Sequence, residues 1–263
     1  MKEYPPGLFC WVDLVAHDLD AAKRWYAELF GWKPVDQDTQ GGPPYVMFKK
    51  DGHVVAGAGQ MSEDMKGQGV PPTWNDYISV EDAAATEAKA RELGATVTVS
   101  TMEVMDAGKL CFMIDPLGVP FAVWEAGTHH GAELVNGPGC LVWNEHVSRD
   151  VPAAKKFYAA LFGWTYETSA MPGFEYTSIK TASGRDNGGM MPMVGEHWAE
   201  VPPHLMTYFA VTDVEAAVAK VVDTGGAIHV PAMDIAGVGR FVVVADPQGA
   251  SFTLIELDEA QTQ

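Results

Sequence analysis

The chain has few cysteines, few bases and no long apolar run, and each shortage narrows what it can be. Cys10, Cys111 and Cys140 are its only thiols. They are odd in number and lack metal-like spacing, so they read as reduced, mostly buried thiols and not as a disulfide framework. Only 17 Lys and Arg stand against 35 Asp and Glu, a net charge of −18. A polyanion would be repelled, which argues against nucleic acid and anionic membrane as partners and favours neutral or cationic ligands. No stretch approaches the ~20 apolar residues that span a bilayer. The opening MKEYPPGLFCW lacks the apolar core of a secretion signal, so the cytoplasm is the expected location. No Gly-rich phosphate loop, nucleophile elbow or CxxC pair is present.

What is there is a repetition. WVDLVAHDLDAAKRWYAELFGW begins at Trp11, and WNEHVSRDVPAAKKFYAALFGW begins at Trp143. The two stretches agree at 12 of 22 positions, and a repeat of that strength decides the architecture before any motif is weighed. The match resumes at a shift of 131: YISVEDAAATEAKARELGATVTV from Tyr77 pairs with YFAVTDVEAAVAKVVDTGGAIHV from Tyr208, and DPLGVPFAVWE from Asp115 pairs with DPQGASFTLIE from Asp246. The expected domains are 1–127 and 128–263, joined through a Gly-containing connector at 125–139.

Each copy has an inner rhythm. A strand over 9–15 ends at Asp18, a helix N-cap. Leu19, Ala22, Trp25, Tyr26 and Leu29 follow at helical spacing, and Gly31 closes the helix. Strands are expected over 32–36, 45–50 and 53–60. The pattern restarts at 74–80, with Asp82 as the next cap, a helix carrying Ala85, Ala88, Ala90 and Leu93, and Gly94 as its stop. Strands near 96–101, 110–115 and 121–124 complete the copy. The unit strand–helix–three strands is therefore used four times. This predicts an α+β fold of four βαβββ modules forming two curved half-barrels, each with one face covered and the other left as a concave cavity.

The signature DLDAAKRWYAELFGW, its second copy, and the DPLG and DPQG turns resemble the vicinal oxygen chelate superfamily, which includes glyoxalases, bleomycin-resistance proteins and extradiol dioxygenases. The WxDL and WNE openings resemble its tandem-domain actinobacterial branch. The resemblance covers essentially the whole chain. It implies a divalent metal in the concave wall, held by His, Gln or Glu at set distances from the helix caps and the DPxG turns. Those places are taken by Trp11, Asn75 and Ala122 in the first copy, and by Trp143, Met206 and Thr253 in the second. None is a His, Glu, Asp or Cys, and an indole has no lone pair to offer. No cofactor is therefore expected. A register slip of two would bring Asp13, Tyr77, Glu145, His204 or Tyr208 to the site, leaving Glu145 with His204 as a fallback metal pair.

Strand alternation sorts the rest. Val12 and Leu14 turn to the helices, so Trp11 and Asp13 line one cavity and Trp143 and Glu145 the other. Asn75 and Tyr77 match Met206 and Tyr208. Ala122 and Trp124 match Thr253 and Ile255. Two readings stand side by side. Trp11 and Trp143 plug the half-barrels, or they stack on a flat aromatic ligand. Asp13 and Glu145 bond to their neighbours, or they act as general bases with raised pKa values. Elsewhere, His129–His130 read as solvated connector. Met190, Met191 and Met193 offer either core packing or an adaptable lip. His197 and Trp198 are candidates to gate the second cavity.

The leading functional expectation is a metal-free glyoxalase/bleomycin-resistance-like protein that holds an aromatic or polycyclic metabolite or antibiotic. The alternatives are a metal-dependent lyase or glyoxalase-like enzyme, and a natural-product-tailoring enzyme using Asp13 or Glu145 as acid/base. A regulatory protein without a ligand is a further alternative. The chain is expected to be a monomer or a homodimer.

Overall fold

The architecture is taken from a computed structural model, which describes residues 3–171 and 173–258. Strand β1 (Phe9–Ala16) leads into helix α1 (Leu19–Phe30), followed by β2 (Lys33–Asp36), β3 (Tyr45–Lys50) and β4 (His53–Gln60). A short helix, α2 (Glu63–Gly67), connects to β5 (Thr73–Val80), α3 (Ala83–Glu92), β6 (Thr96–Val104), β7 (Gly108–Ile114) and β8 (Pro120–Ala126). The second lobe repeats this order with β9 (Leu141–Ser148), α4 (Val151–Phe162), β10 (Thr165–Met171), β11 (Phe174–Lys180) and β12 (Asp186–Pro192). A 3-10 turn at Glu196–Trp198 takes the place of α2, and β13 (His204–Ala210), α5 (Val214–Asp223), β14 (Ala227–Ile235), β15 (Gly239–Ala245) and β16 (Ser251–Leu257) end the lobe. The expected four βαβββ modules are present.

The caps explain the helix boundaries. Asp18 and Asp150 accept from the amides of Ala21 and Ala153, while Gly31 and Gly163 take left-handed φ values of 70° and 73° that suit glycine. Of the stripe expected on α3, Ala90 is buried and Leu93 packs against the core, while Ala85 and Ala88 are exposed and Ala83 is buried in their stead. An alanine-rich helix carries no distinct apolar stripe, so the side chains that reach the sheet decide. Glu87 reaches it, accepting from the Thr101 amide at 2.6 Å.

Each lobe is one eight-stranded sheet. Its order is β2-β3-β4-β1-β5-β8-β7-β6, and the second lobe repeats this. The two modules of a lobe meet where β1 pairs antiparallel with β5, and β9 with β13. The helix-bearing faces of the two sheets pack against each other. One core joins α1 residues Trp25, Tyr26 and Phe30 to Phe209, Val221 and Phe252 of the second lobe. The other joins Ile78, Met113 and Phe121 to Phe157, Tyr158 and Trp164. Burial of aromatic side chains on this scale makes the seam a shared core.

The two repeated signatures meet across this seam. Asp115 of DPLG uses Oδ1 to hold its own turn, accepting from the Leu117 and Val119 amides, and its Oδ2 accepts from Tyr158 of the other lobe at 3.1 Å. Asp246 of DPQG likewise accepts from Tyr26 at 3.1 Å. Trp32 donates to the Gly139 carbonyl and Trp164 to that of Gly7. At the centre, Asp76 Oδ1 accepts from Asn144 and from Thr207 of the second lobe, and its Oδ2 has no partner among the described residues. Burial drives the Asp76 pKa up to about 7. No helix among the described residues is long and apolar enough to cross a membrane.

Candidate functional site

The faces turned away from the seam are the concave ones. On the first, β1 places Trp11 opposite Tyr77 of β5, and Asp13 opposite Asn75. Asp13 is buried with both oxygens engaged: Oδ1 accepts from Asn75 at 2.9 Å, and Oδ2 from Tyr45 at 3.1 Å and Tyr77 at 3.0 Å. Trp11 Nε1 in turn donates to the Tyr45 hydroxyl at 3.3 Å. The chain Trp11→Tyr45→Asp13←Tyr77 floors the cup.

The second cup repeats it. Trp143 Nε1 donates to Tyr176 at 2.9 Å, Tyr208 donates to Glu145 Oε2 at 2.9 Å, and Tyr176 is hydrogen-bonded to Glu145 as well. Glu145 faces Met206 across β9 and β13, and Tyr208 lies between Trp143 and Thr253. The structure thus brings together Trp11, Asp13, Asn75, Tyr77 and Trp124 in one cup, and Trp143, Glu145, Met206, Tyr208 and Thr253 in the other.

Tyr45 and Tyr176 were not among the expected site residues. They stand on β3 and β11, two strands away from the carboxylates, and reach them only because glycine occupies the strand between. Gly57 pairs with Asp13 and Gly189 with Glu145. A Cβ on Gly57 would overlap the Tyr45 hydroxyl, and one on Gly189 would overlap that of Tyr176. The signal was present as a Tyr on the third strand of each lobe and a Gly at the matching place on the fourth. Reading it needs the pairing register.

Desolvation raises the pKa of Asp13 against the opposing pull of its hydrogen bonds from Asn75, Tyr77 and Tyr45. The same cause raises Glu145. The phenols of Tyr45, Tyr77, Tyr176 and Tyr208 are held well above their ordinary range, by burial first and the adjacent carboxylate second. They serve as donors. Each floor is a carboxyl group whose charge is answered by phenols, under aromatic and apolar walls.

A divalent ion does not fit this donor set. The places the fold would use hold Trp11, Asn75 and Ala122, and Trp143, Met206 and Thr253. Both oxygens of Asp13 are already bonded. No group of three or more His, Cys, Asp or Glu able to hold a metal ion occurs among the described residues. Of the fallback pair, Glu145 is bonded to Tyr208 and Tyr176, and His204 sits opposite Val147 with its Nδ1 2.8 Å from the Pro202 carbonyl oxygen.

One further expectation changes. His129 is not solvated connector. Its ring lies edge-on to Trp11, with centroids 4.5 Å apart, and 5.8 Å from Trp124, whose Nε1 donates to the His129 carbonyl. Of the two readings given for the methionines, packing holds for Met190, fully buried in the seam, and for Met193, also buried. Met102 and Met233, at equivalent rim positions, are half-exposed instead. Trp198 lies 5.4 Å from His197 and 6.5 Å from His204 between ring centroids, in a loop that Arg149 ties down through the Trp198 and Val201 carbonyls. Clefts of about 330 and 450 Å³ lie at Tyr4–Glu125 and Arg240–Glu256. Glu125 in the first pairs with Lys109 and Arg240 in the second with Asp234, and no cup-floor residue lines either cleft.

The chain is 38% identical over 258 residues to CFP32 of Mycobacterium tuberculosis, a protein provisionally named a glyoxylase, with 97% of each chain covered. Residues 10–124 match the glyoxalase-like domain, and residues 141–254 match the glyoxalase/bleomycin resistance protein/dioxygenase superfamily. The chain belongs to this superfamily. Within it, the anthracycline biosynthesis protein DnrV of Streptomyces peucetius is 30% identical over 273 residues, covering 98% of this chain and 96% of DnrV. Among solved structures, the Mn(II)-bound glyoxalase of Novosphingobium aromaticivorans superposes with a TM-score of 0.62 at 19% identity, covering 96% of this chain and 83% of that one. The 2,3-dioxygenase LapB of Pseudomonas sp. KL28 also gives 0.62, at 14% identity, covering 95% and 92%. These superfamily members share the fold. The tandem arrangement spans the whole of this one.

Proposed function

We propose that the protein binds a flat aromatic or polycyclic small molecule on the floor of a concave lobe, without a metal. The observation that carries this reading is the duplicated Trp–Tyr–carboxyl–Tyr relay, which fills the ground where superfamily relatives place an ion. An indole edge and face, apolar walls and phenol oxygens with lone pairs to spare suit a planar ligand that carries hydroxyl or amine donors. The acidic surface, at a net charge of −18, draws cationic ligands towards it. Relatives named for anthracycline biosynthesis support a polycyclic class and a place in handling or tailoring such a molecule. A tailoring reaction is a second reading, favoured by Glu145, which has two phenol partners where Asp13 has three donors and so keeps more capacity to exchange a proton.

Titration of chelator-treated protein with an anthracycline tests the proposal. Tryptophan fluorescence is expected to quench saturably, and Trp143→Ala is expected to abolish the quench. Absence of saturable quenching in the native protein would refute it. Under the tailoring reading, Glu145→Gln stops turnover while leaving the quench in place.

A further inference from the structure

The two cups share a floor plan but differ in several lining side chains. At equivalent places on the concave face, the first lobe carries Met47, Phe112 and Trp124, and the second carries Ser178, Val243 and Ile255. Each exchange trades a large side chain for a smaller one. The first lobe is further filled from outside its own sheet. The connector lays His129 against Trp11 and Trp124, and Ala132 packs fully buried beside them, its amide bonded to the Cys10 carbonyl at 2.9 Å. The His129 Nε2 is buried without a partner among the described residues, so the imidazole acts there as a packing ring. Burial pulls its pKa down to about 4, which keeps it uncharged in that place.

Exposure follows. Trp11 is 3% exposed, whereas Trp143 is partly open to solvent. Beside the carboxyl groups the trend reverses: Met206 stands where the first lobe has Asn75, Thr253 where it has Ala122 and Glu145 where it has Asp13, and further along the sheet Phe241 stands where it has Leu110. The recorded difference in access lies at the indole, which is the more open in the second cup.

From this we infer a division of labour that rests on the binding reading above: the second lobe is the ligand site, taking one planar aromatic molecule per chain against Trp143, and the first lobe is a closed copy whose ligand space is filled by His129 and Trp124. Ser178, Val243 and Ile255 set the depth of the working cup. His129 is a built-in occupant of the other.

The experiment joins a ligand-free measurement to a titration. N-bromosuccinimide oxidation of the native chain, followed by peptide mapping, is expected to modify Trp143 about tenfold faster than Trp11, whose exposure needs local opening. Calorimetric titration with an anthracycline is expected to give one site per chain. Val243→Phe with Ile255→Trp, which installs side chains the sister lobe already holds, is expected to protect Trp143 and to weaken binding about 100-fold, as filling a binding hot spot does. Phe112→Val with Trp124→Ile and His129→Ala is expected to raise the stoichiometry to two. Equal oxidation of Trp11 and Trp143, or two sites in the native chain, overturns the inference. If no anthracycline binds while Trp143 still reacts first, the binding reading falls and the open–closed division stands. Circular dichroism and thermal unfolding establish that each variant is folded.

Discussion

The first lobe stacks Trp11, Trp124, Tyr77 and Phe112 over a carboxyl group with three donors, and its own connector shuts it. The second lobe keeps the Trp–Tyr–carboxyl–Tyr relay with thinner packing and a partly exposed indole. Duplication supplied two copies of one design, and the differences lie in side-chain volume and not in the relay. The relay belongs to the architecture of both floors, and Trp143 is the more exposed of the two indoles. Because both helical faces are consumed in the seam, neither lobe can open without disturbing the core that the other shares.

The comparison breaks most sharply at the glycines beneath the tyrosines. Gly57→Ala and Gly189→Ala each force a phenol off its carboxylate, and each is expected to cost about 1–3 kcal/mol in denaturant unfolding, as overpacking does. Gly57→Ala should be the costlier, since its tyrosine is hemmed in by the closed floor. Equal costs would mean that the two floors are equally rigid.

Asp13→Asn and Glu145→Gln sharpen the same contrast. An amide turned towards several donors leaves at least one unsatisfied, at about 1–3 kcal/mol each. Asp13→Asn, with three donors around it, is expected to destabilise more than Glu145→Gln. Urea midpoints measured on both variants decide it, and the reverse order would contradict the closed–open assignment.

The seam makes a smaller, pH-dependent prediction. Asp76 has a pKa raised by burial to about 7. The protonated form is the one the fold prefers, so its contribution is fully present below the ordinary carboxylate range and is lost as pH rises through about 7. Asp76→Asn is expected to remove that part of the loss. The variant's stability relative to native protein should grow between pH 5 and pH 8 in parallel urea titrations, whereas a difference that stays flat across this window would show that Asp76 does not titrate there.

The fold was legible because a repeat fixes module count, and Asp caps with closing glycines mark each helix. The concave-face residues were legible for the same reason: alternation on β1 and β5 puts Trp11, Asp13, Asn75 and Tyr77 on one side whatever the tertiary details. What escaped was set by contacts distant in sequence. Tyr45 reaches Asp13 only across Gly57 of another strand. His129 lies 118 residues from Trp11, and nothing local in GTHHGAE says that its ring turns into a cup. Alanine-rich α3 carried too little contrast for its buried face to be read.

The binding proposed for the second floor uses indole, phenol and carboxyl groups in place of an ion. Calorimetric titration of an anthracycline into protein stripped with a chelator, with metal content measured on the same sample, tests it most directly. Saturable binding with an unchanged Kd and no stoichiometric metal is the expected result. Binding that disappears on stripping and returns only with an added divalent cation would contradict it.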